Sequence, residues 1–597
     1  MEDSNRSNVP YIIIAIVFFL IIHILFYAIK LNVSVSSGEL VDTDNYMRLV
    51  RVEQLAETGD WYDSTIHRNN YPFGDTLHWT RPLDVLLLLG AGPLMPWLGL
   101  KKALLYWGIV ISPILGILSM LALVWATKPI LVQQAQRLLL IILIAQPLLF
   151  QVFIFGRPDH HSLLALLFIL LLGCLTRMLA SIDLKKHSIL AGLIAAAATW
   201  VSVEAIFSII MVFVALIILW IMNKDNYALM LRFFSLSLLG FTTLFLLVER
   251  PLSLVFTAAE YDKLSVVYVF VYLIAAAFSM GLAMIKNAHW RTRTLSAVTL
   301  ALPSVLAIYL AFPAFFHGPM SGVNPAIVPI WLSKVSEIQP LLLSGYFTSI
   351  SFLGSAGLAL SYLIIYYITK TCTGIKAPML LLSTGFIFFT ALTLYQIRMG
   401  FYSSIIISIL LAFMLKDIIE YLSKRPNKMT SFMRAGITIL VILGFPSAGL
   451  MASSLQEDPP YKYQDVKTLS RYLNEYQDEH PDTANILASI DFGPEILYRT
   501  DYNIISAPYH RNDRGIIYTY EVMTSDNMEK VKGMLAEREI DLIAIAPDSK
   551  EIVMYRTENN PLAFYERLKS DAVPEWLTKL KLPENVKKSF IIYKVGL

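Results

Sequence analysis

Four short stretches of the sequence combine acidic, imidazole and guanidinium side chains that could carry chemistry. They hold Asp42 and Asp44, then Asp159, His160 and His161, then Glu337, and finally Arg398. Asp and His at a spacing of one or two residues are ligands that suit Mg²⁺ or Mn²⁺. Ionisable side chains at membrane depth are costly and usually mark a function. The Asp-His-His stretch therefore indicates a divalent-metal site.

Each of these residues also has an ordinary structural interpretation. Asp44 and Asp159 could cap helix N-termini, and Asp42 could be a solvated loop charge. Arg398 could reach from a helix to the membrane interface, and Glu337 could pair with a neighbour. The choice between a site and a scaffold therefore depends on the segments that carry these residues.

The composition indicates that most of the chain lies within a membrane. Of 597 residues, 16% are charged and 56% are hydrophobic, whereas soluble domains average roughly 25% charged residues. A net charge of +3 gives no basic surface for nucleic acid. The two cysteines, Cys174 and Cys372, lie in or beside apolar runs, so the sequence predicts neither a disulfide framework nor a thiolate metal cluster.

The charges are concentrated at the C-terminal end. Of the 93 charged residues, 42 fall in the last 142 positions. Helical periodicity over 466–476 and 528–538 alternates there with β-like runs at 486–490, 542–546 and 590–593, which is typical of a small α/β domain. We therefore predict a transmembrane catalytic domain over 1–455 and a water-exposed α/β domain over 456–597.

Apolar runs of about 20 residues, the length that crosses a bilayer, occur fourteen times in the first domain. They lie near 11–31, 83–100, 104–127, 135–155, 161–180, 188–204, 206–222, 230–248, 264–285, 295–312, 346–368, 377–394, 399–417 and 435–453. Run 83–100 is the weakest, because it is interrupted by Asp84, Gly90, Gly92, Pro93 and Pro96. Excluding it leaves thirteen predicted transmembrane helices.

Basic residues at the helix ends predict the orientation of these helices, because cytoplasmic loops are rich in Lys and Arg. Such residues cluster at 185–186, 286–293, 370–376 and 416–434. The N-terminus is then cytoplasmic, and the first apolar run is expected to remain as an anchor. Loops 32–82, 156–160 and 313–345 and the C-terminal domain fall outside, so the four stretches share one face.

The motifs also follow one another in an informative order. They are Asp44-Asn-Tyr-Met-Arg, Gly59-Asp-Trp-Tyr, Tyr71-Pro-Phe-Gly, Asp159-His-His, Val335-Ser-Glu-Ile-Gln-Pro and Arg398. This order, followed by an α/β domain, resembles the catalytic subunit of oligosaccharyltransferase, a glycosyltransferase of the GT-C class. The resemblance covers nearly the whole chain, and its specific parts are 44–82 and 335–340.

The resemblance implies a role for each motif. It implies that Asp44, Asp159, His161 and Glu337 hold Mn²⁺ or Mg²⁺, with an imidazole in place of one family carboxylate. It implies that Asp44 and Glu337 are catalytic and orient the acceptor. The expected contacts to the donor phosphate are Arg398, His510 and Arg511.

The family motif that recognises the acceptor differs in this chain. The Trp-Trp-Asp-Tyr-Gly pattern, which binds the hydroxyl of an Asn-X-Ser/Thr acceptor, aligns with Ser489-Ile490-Asp491-Phe-Gly. Ser489, Ile490 and Asp491 are the predicted acceptor-recognition residues. Because both tryptophans are missing, we expect the ordinary acceptor rule to be altered.

Together these features predict a metal-dependent, inverting transferase that moves a sugar or oligosaccharide from a polyprenyl-linked phosphate or pyrophosphate to an external protein or glycan acceptor. A GT-C enzyme that adds a single sugar to a glycan or lipid is an open alternative. A transporter or flippase of lipid-linked sugars is another, although transporters usually bind near the midplane and often contain repeats. The expected setting is a bacterial or archaeal plasma membrane, among membrane lipids, as a single subunit without nucleic acid.

Overall fold

The structure is a computed structural model that describes residues 8–31, 38–222, 225–370, 376–424, 427–455, 464–555 and 560–597. We call residues 8–455 the helical part and residues 464–597 the tail. The predicted domain boundary after residue 455 adjoins residues 456–463, which lie outside the described residues.

The helical part consists of α-helices and short 3₁₀ turns, with one small β-ribbon. The ribbon pairs β1 (Thr65–Ile66) with β2 (Asp75–Thr76) in antiparallel fashion. The helices are α1 (Val9–Leu31), α2 (Thr43–Thr58), α3 (Arg81–Ala91), α4 (Met95–Leu98), α5 (Leu100–Thr127), α6 (Gln133–Ile144), α7 (Pro147–Phe150), α8 (His160–Leu179), α9 (Leu184–Val201), α10 (Ile206–Met222), α11 (Asn226–Glu249), α12 (Val266–Met284), α13 (Trp290–Ala311), α14 (Ile327–Ile330), α15 (Tyr346–Lys370), α16 (Ala377–Tyr395), α17 (Gly400–Ser423) and α18 (Lys428–Ser453).

Ten of the described helices are long and apolar enough to cross a membrane, or eleven if the bent pair over 133–153 is one span. The chain is thus a multi-pass membrane protein, but the predicted number of thirteen is not reproduced. Run 83–100 is broken into α3, a 3₁₀ turn and α4, because a proline inside a helix removes a hydrogen bond. The predicted spans 188–204 and 399–417 are helical (α9 and α17) but do not belong to the ten.

Helix α2 carries Asp44, lies in the first long loop and is not among the candidate membrane spans. Asp42 caps its N-terminus by accepting a hydrogen bond from the Asn45 backbone N–H, and Gly59 ends it in the left-handed conformation that favours glycine. Its buried face includes Tyr46, Met47 and Leu49. This burial fixes the rotation of α2 and hence the direction of its first turn.

The tail is an α/β domain around a five-stranded sheet, as predicted. Its strand order is β4-β3-β5-β7-β6, in which β3 is parallel to β4 and β5, and β7 is antiparallel to β5 and β6. The elements are α19 (Val466–Glu479), β3 (Asn485–Ala488), α20 (Gly493–Arg499), β4 (Asn503–Ile504), α21 (Asp513–Thr524), α22 (Met528–Glu537), β5 (Leu542–Ile545), α23 (Ile552–Tyr555), α24 (Phe564–Lys569), β6 (Leu577–Lys579), α25 (Glu584–Lys587) and β7 (Ile591–Val595).

The tail is joined to the first long loop by main-chain hydrogen bonds. Tyr71 N–H donates to Ile504 O at 3.1 Å, and Ile504 N–H donates to Arg68 O at 2.8 Å. The Arg68 guanidinium also donates to the carbonyls of Leu497, Thr500 and Tyr502 around the end of α20. The tail therefore holds a defined position over the helical part.

Candidate active site

A cavity of about 150 Å³ lies where the helical part meets the tail. Its walls come from the start of α2, the start of α8, residues 202–204, the segment 319–338 and the tail loop after β4. Of the predicted site residues, the cavity is lined by Asp44, Asp159, His161, Glu337, Arg398 and His510. Four stretches that are far apart in the sequence therefore meet at one place.

The first turn of α2 brings two carboxylates to the cavity. Desolvation inside the cavity, to which Asp44 is open, raises the pKa of Asp44 well above its usual value, and the nearby charges of Asp42 and Glu337 raise it further. The side chain of Tyr509, from the tail, interacts with Asp44, and burial together with that carboxylate raises the pKa of Tyr509. A cation would relieve the repulsion in this group of acids.

Asp159 precedes α8 and faces two imidazoles. Its Oδ1 lies 2.7 Å from Nδ1 of His160, and its Oδ2 lies 2.6 Å from Nδ1 of His161. Burial alone would raise the pKa of Asp159, but the two histidines hold it well below its usual value. The ligand atoms of these three side chains lie within 4.8 Å of one another, so Asp159 remains a carboxylate beside two nitrogen ligands.

Glu204, just before α10, links this cluster to Arg398. Its Oε1 lies 2.6 Å from Nη2 of Arg398, and its Oε2 lies 3.8 Å from Nε2 of His161. Oε2 of Glu204, Nε2 of His161 and Nε of Arg398 are buried without a hydrogen-bond partner among the described atoms. Such orphaned groups are costly, which indicates that this end of the cavity is built for a polar ligand.

Glu337 is held beside the cluster by Arg157. Nη2 of Arg157 lies 2.9 Å from Glu337 Oε1 and 3.3 Å from Asp159 Oδ2. A second cavity, of about 250 Å³, lies on the side of α7, α15 and α17, and it shares Arg157, His161, Glu337 and Arg398 with the first. Two substrates could therefore approach the same residues from different sides.

The two tail candidates for phosphate binding are placed differently. His510 lines the cavity, whereas Arg511 does not belong to its described lining. Arg511 instead contacts Asp262 at 2.6 Å and Glu260 at 2.8 Å. Of the pair, His510 is therefore the residue that faces the site.

The acceptor-recognition candidates lie away from the cavity lining. Ser489 and Ile490 are buried at the end of β3, where Ile490 is 0% exposed in the tail core, while Asp491 is exposed. The Ile490 backbone N–H donates to Oε1 of Glu551 at 2.5 Å. Positions 489 and 490 therefore shape the inside of the tail and not the described cavity wall.

We expect the buried carboxyl of Glu551 to make the stability of the tail depend on pH. Burial, and then the nearby Asp491, raise the pKa of Glu551 to about 8. Because the folded state holds this proton more tightly, its contribution is full below the unfolded pKa near 4.5 and is lost as the pH rises through 8. For this one group, the free energy of unfolding falls by at most about 1.4 kcal/mol per pH unit.

Thermal unfolding of the wild type and of Glu551→Gln between pH 5 and 9 measures this effect. In the wild type, stability should decline above pH 6, and Glu551→Gln should lose much of this decline. The control Glu529→Gln, at an exposed residue, should follow the wild type. Equal slopes in Glu551→Gln and the wild type would contradict the prediction.

The residues present suit a divalent ion. The cluster offers carboxylate oxygens and imidazole nitrogens, the set that Mn²⁺, Zn²⁺ and Mg²⁺ accept in different proportions. The unpartnered Nε2 of His161 beside Glu204 supplies a buried donor atom without another role. Asp44, Asp159, His161 and Glu337 are therefore joined by His160 as candidate ligands.

Several cavity residues escape sequence reasoning. They are Arg157, Glu204, Asp262 and Tyr509, while His160 is predicted only as part of the Asp-His-His stretch and not as an individual ligand. Arg157 and His160 adjoin a predicted ligand, so the polar run 157–161 carried a signal. The sequence gives no signal for the other three, Glu204, Asp262 and Tyr509, because their partners in the cavity lie far away in the chain.

Comparison with known proteins finds relatives only in structure: no family model and no curated protein matches the sequence. The archaeal oligosaccharyltransferase AglB from Archaeoglobus fulgidus, in complex with an inhibitory peptide and a dolichol-phosphate, gives a TM-score of 0.71 at 12% identity, over 97% of this chain and 80% of that chain. The Archaeoglobus fulgidus oligosaccharyltransferase in complex with Zn and sulfate gives 0.67 at 14% identity, over 92% and 70%.

A third structure, the Archaeoglobus fulgidus oligosaccharyltransferase tethered to an acceptor peptide containing the NVT sequon, gives a TM-score of 0.69 at 13% identity, over 100% of this chain and 74% of that chain. Both the helical part and the tail are thus matched in one superposition. This chain has the fold of the archaeal oligosaccharyltransferase, as the resemblance in the sequence predicted.

Proposed function

We propose that the protein is a metal-dependent, inverting glycosyltransferase that moves a sugar or oligosaccharide from polyprenyl phosphate or pyrophosphate to an acceptor on the external membrane face. The observation that carries this proposal is one cavity in which Asp44, Asp159, His161 and Glu337 meet Arg398. The likeness in fold supports it, since the similar structures include one bound to a dolichol-phosphate and one with an acceptor peptide.

The reaction would exchange one bond at the anomeric carbon for another. The acceptor atom bonds to that carbon from one face, while the bond to the phosphate oxygen breaks on the other and the phosphate leaves with the electron pair. A bound divalent ion supplies Lewis-acid stabilisation of the charge on the leaving phosphate. Asp44, Asp159, His161 and Glu337 would hold that ion, with His160 beside them.

The carboxylates would also handle the acceptor. Asp44, on the rigid first turn of α2, can accept a hydrogen bond from the nucleophile and then its proton. Arg157 holds Glu337 at 2.9 Å, which keeps that carboxylate turned toward the shared region of both cavities. Because the side chains are fixed before substrates bind, little reorganisation is needed during transfer.

Arg398 is the proposed contact to the donor phosphate. A charge-assisted contact of this kind contributes about 1.5–3 kcal/mol, so Arg398→Ala should raise the donor KM about tenfold or more, and Arg398→Lys should rescue it partly. Arg137→Ala serves as the control, because Arg137 donates to Asn8 at 3.0 Å and does not belong to the described lining of either cavity. An unchanged donor KM in Arg398→Ala would contradict the assignment.

We propose that the acceptor is not the ordinary Asn-X-Thr sequence. A site discriminates for a hydroxyl only when its polar groups face that hydroxyl in a wall that excludes water, whereas Ser489 and Ile490 are buried within the tail. An Asn-X-Thr peptide should therefore be glycosylated at background level, and Asp491→Ala should not change that level. Efficient peptide glycosylation that is lost in Asp491→Ala would reverse this conclusion.

The function is tested by transfer with the purified protein in detergent or liposomes. Candidate polyprenyl-linked donors are offered with peptide, glycan and lipid acceptors, and products are identified by mass analysis. A product whose anomeric configuration is opposite to that of the donor supports the proposal. Movement of the lipid-linked sugar across the bilayer without transfer would favour the transporter alternative.

A further inference from the structure

A cluster of charged side chains joins the tail to the loop between α11 and α12, at the edge of the cavity. Oδ2 of Asp262 accepts from Nε2 of His510 at 2.8 Å and from Nε of Arg511 at 2.7 Å, and its Oδ1 accepts from Nη2 of Arg511 at 2.6 Å. The side chains of Asp262 and His510 are only 13% and 8% exposed. Such shielded, charge-assisted contacts are short and directional.

The loop that presents Asp262 is itself braced. Arg250, which follows α11, forms an ion pair with Glu260 and donates from Nε to Leu264 O at 3.1 Å. Ser265 Oγ donates to Glu260 O at 2.5 Å. These contacts hold the loop, and with it Asp262, in place on the helical part. Asp262 can therefore set the position of the tail residues that it contacts.

Asp262 contacts two neighbouring tail residues, His510 and Arg511, in different ways. It engages Arg511 through both carboxylate oxygens, and Glu260 takes the same guanidinium at 2.8 Å. His510, in contrast, contacts Asp262 through Nε2 alone. Both residues line the cavity, and the His510 ring lies 4.7 Å from the ring of His78. Nδ1 of His510 makes no hydrogen bond within the described part of the chain and is not among its buried unpartnered atoms.

We propose that Asp262 is a positioning residue for donor binding, which orients the imidazole of His510 toward the donor phosphate and holds Arg511 outside the cavity. The inference rests on the proposed function, and it takes His510, which lines the same cavity as Arg398, as a second contact to that phosphate. Because Nε2 donates to Asp262, Nδ1 is the nitrogen left to meet the ligand, and it must carry a proton to donate to a phosphate oxygen. The Asp262 carboxylate stabilises the imidazolium formed in that complex, as second partners of functional histidines do. Asp262 acts through His510 and not on the ligand.

The test measures binding of a short-chain polyprenyl phosphate to the full-length protein, with the unphosphorylated polyprenol as the matched ligand. Asp262→Asn should weaken phosphate binding about tenfold and leave polyprenol binding unchanged. Asp526→Asn, the same substitution at an exposed aspartate of the tail that does not belong to the described cavity lining, should stay within about threefold of the wild type. A double variant, Asp262→Asn with His510→Ala, should bind like His510→Ala alone.

If Asp262 acts only through His510, its substitution has no further effect once His510 is replaced by alanine. The double variant therefore distinguishes a positioning role from a merely structural one. A loss that adds to that of His510→Ala, or wild-type affinity in Asp262→Asn, overturns the inference. If Asp262→Asn fails to fold, Asp262→Glu keeps the charge but moves the carboxylate, and it should give an intermediate loss; wild-type affinity there, with His510→Ala impaired, also overturns it. Failure of the wild type to prefer the phosphate over the polyprenol overturns the proposed function, and the inference with it.

Discussion

Removal of divalent cations should abolish glycosyl transfer, and Mn²⁺ or Mg²⁺ should restore it. The expectation follows from Asp159, which faces His160 and His161 at 2.7 and 2.6 Å, near the buried carboxylate of Glu204. Asp159→Ala should reduce metal affinity and transfer about a hundredfold, because it removes one ligand and releases both imidazoles. Transfer assays with chelator and re-added metal, together with direct Mn²⁺ titration, measure both effects.

A matched aspartate tests whether the effect is local. Asp63 pairs with His67 at 3.3 Å on the exposed side of the first loop, and Asp63→Ala should retain the wild-type response to metal. Full activity of the wild type in excess chelator would refute a metal-dependent reaction. Equal losses in both variants would place the effect in the scaffold.

Asp44→Asn should lower kcat by about a hundredfold to a thousandfold, with little change in melting temperature. The substitution keeps the shape of the side chain but removes the charge that would accept the proton of the nucleophile. Steady-state kinetics at saturating metal and donor measure the loss, and the unfolding transition checks the fold.

Asp42→Asn is the control for that experiment, because it changes a carboxylate two residues away on the same cavity wall. Asparagine caps a helix about as well as aspartate, so the hydrogen bond from Asn45 persists and kcat should fall less than about tenfold. A loss in Asp42→Asn as large as that in Asp44→Asn would show that general acidity of the cavity, and not Asp44 itself, is required.

The arrangement of segments was predictable because it follows from periodicity and charge. Apolar runs located most membrane helices, and the charge density of the last 142 residues marked the α/β tail. The number of spans was less accessible. Helix α9 begins with Lys185 and Lys186, and α17 contains Lys416, Asp417 and Glu420 near its end, so hydropathy alone does not say how deeply either lies.

The candidate site was predictable from the sequence where two potential metal ligands lie close together in one motif. Asp159 and His161 are two residues apart, and topology alone places them on the same face as Asp44 and Glu337. Glu204 could not be paired from the sequence, because its partner Arg398 lies on another segment, 2.6 Å away only in the folded chain.

The alignment of positions 489–491 with an acceptor motif could not reveal which side chains turn inward. Ile490 enters the tail core at 0% exposure from the 3₁₀ turn that follows β3, an inner strand with neighbours on both sides. The burial of a residue at the end of such a strand depends on the completed sheet, and local sequence carries little of that information.

The hydrogen bonds from Arg68 to the tail constrain how the protein is made. They join residues 429 to 434 positions apart, and at translation rates of roughly 5–20 residues per second their partners are synthesised tens of seconds later. Until then α2 has no tail to cover Tyr46, and the cavity has no wall at Tyr509. A chain that has not yet acquired its tail therefore has an incomplete cavity, and we expect it to be inactive in the proposed transfer.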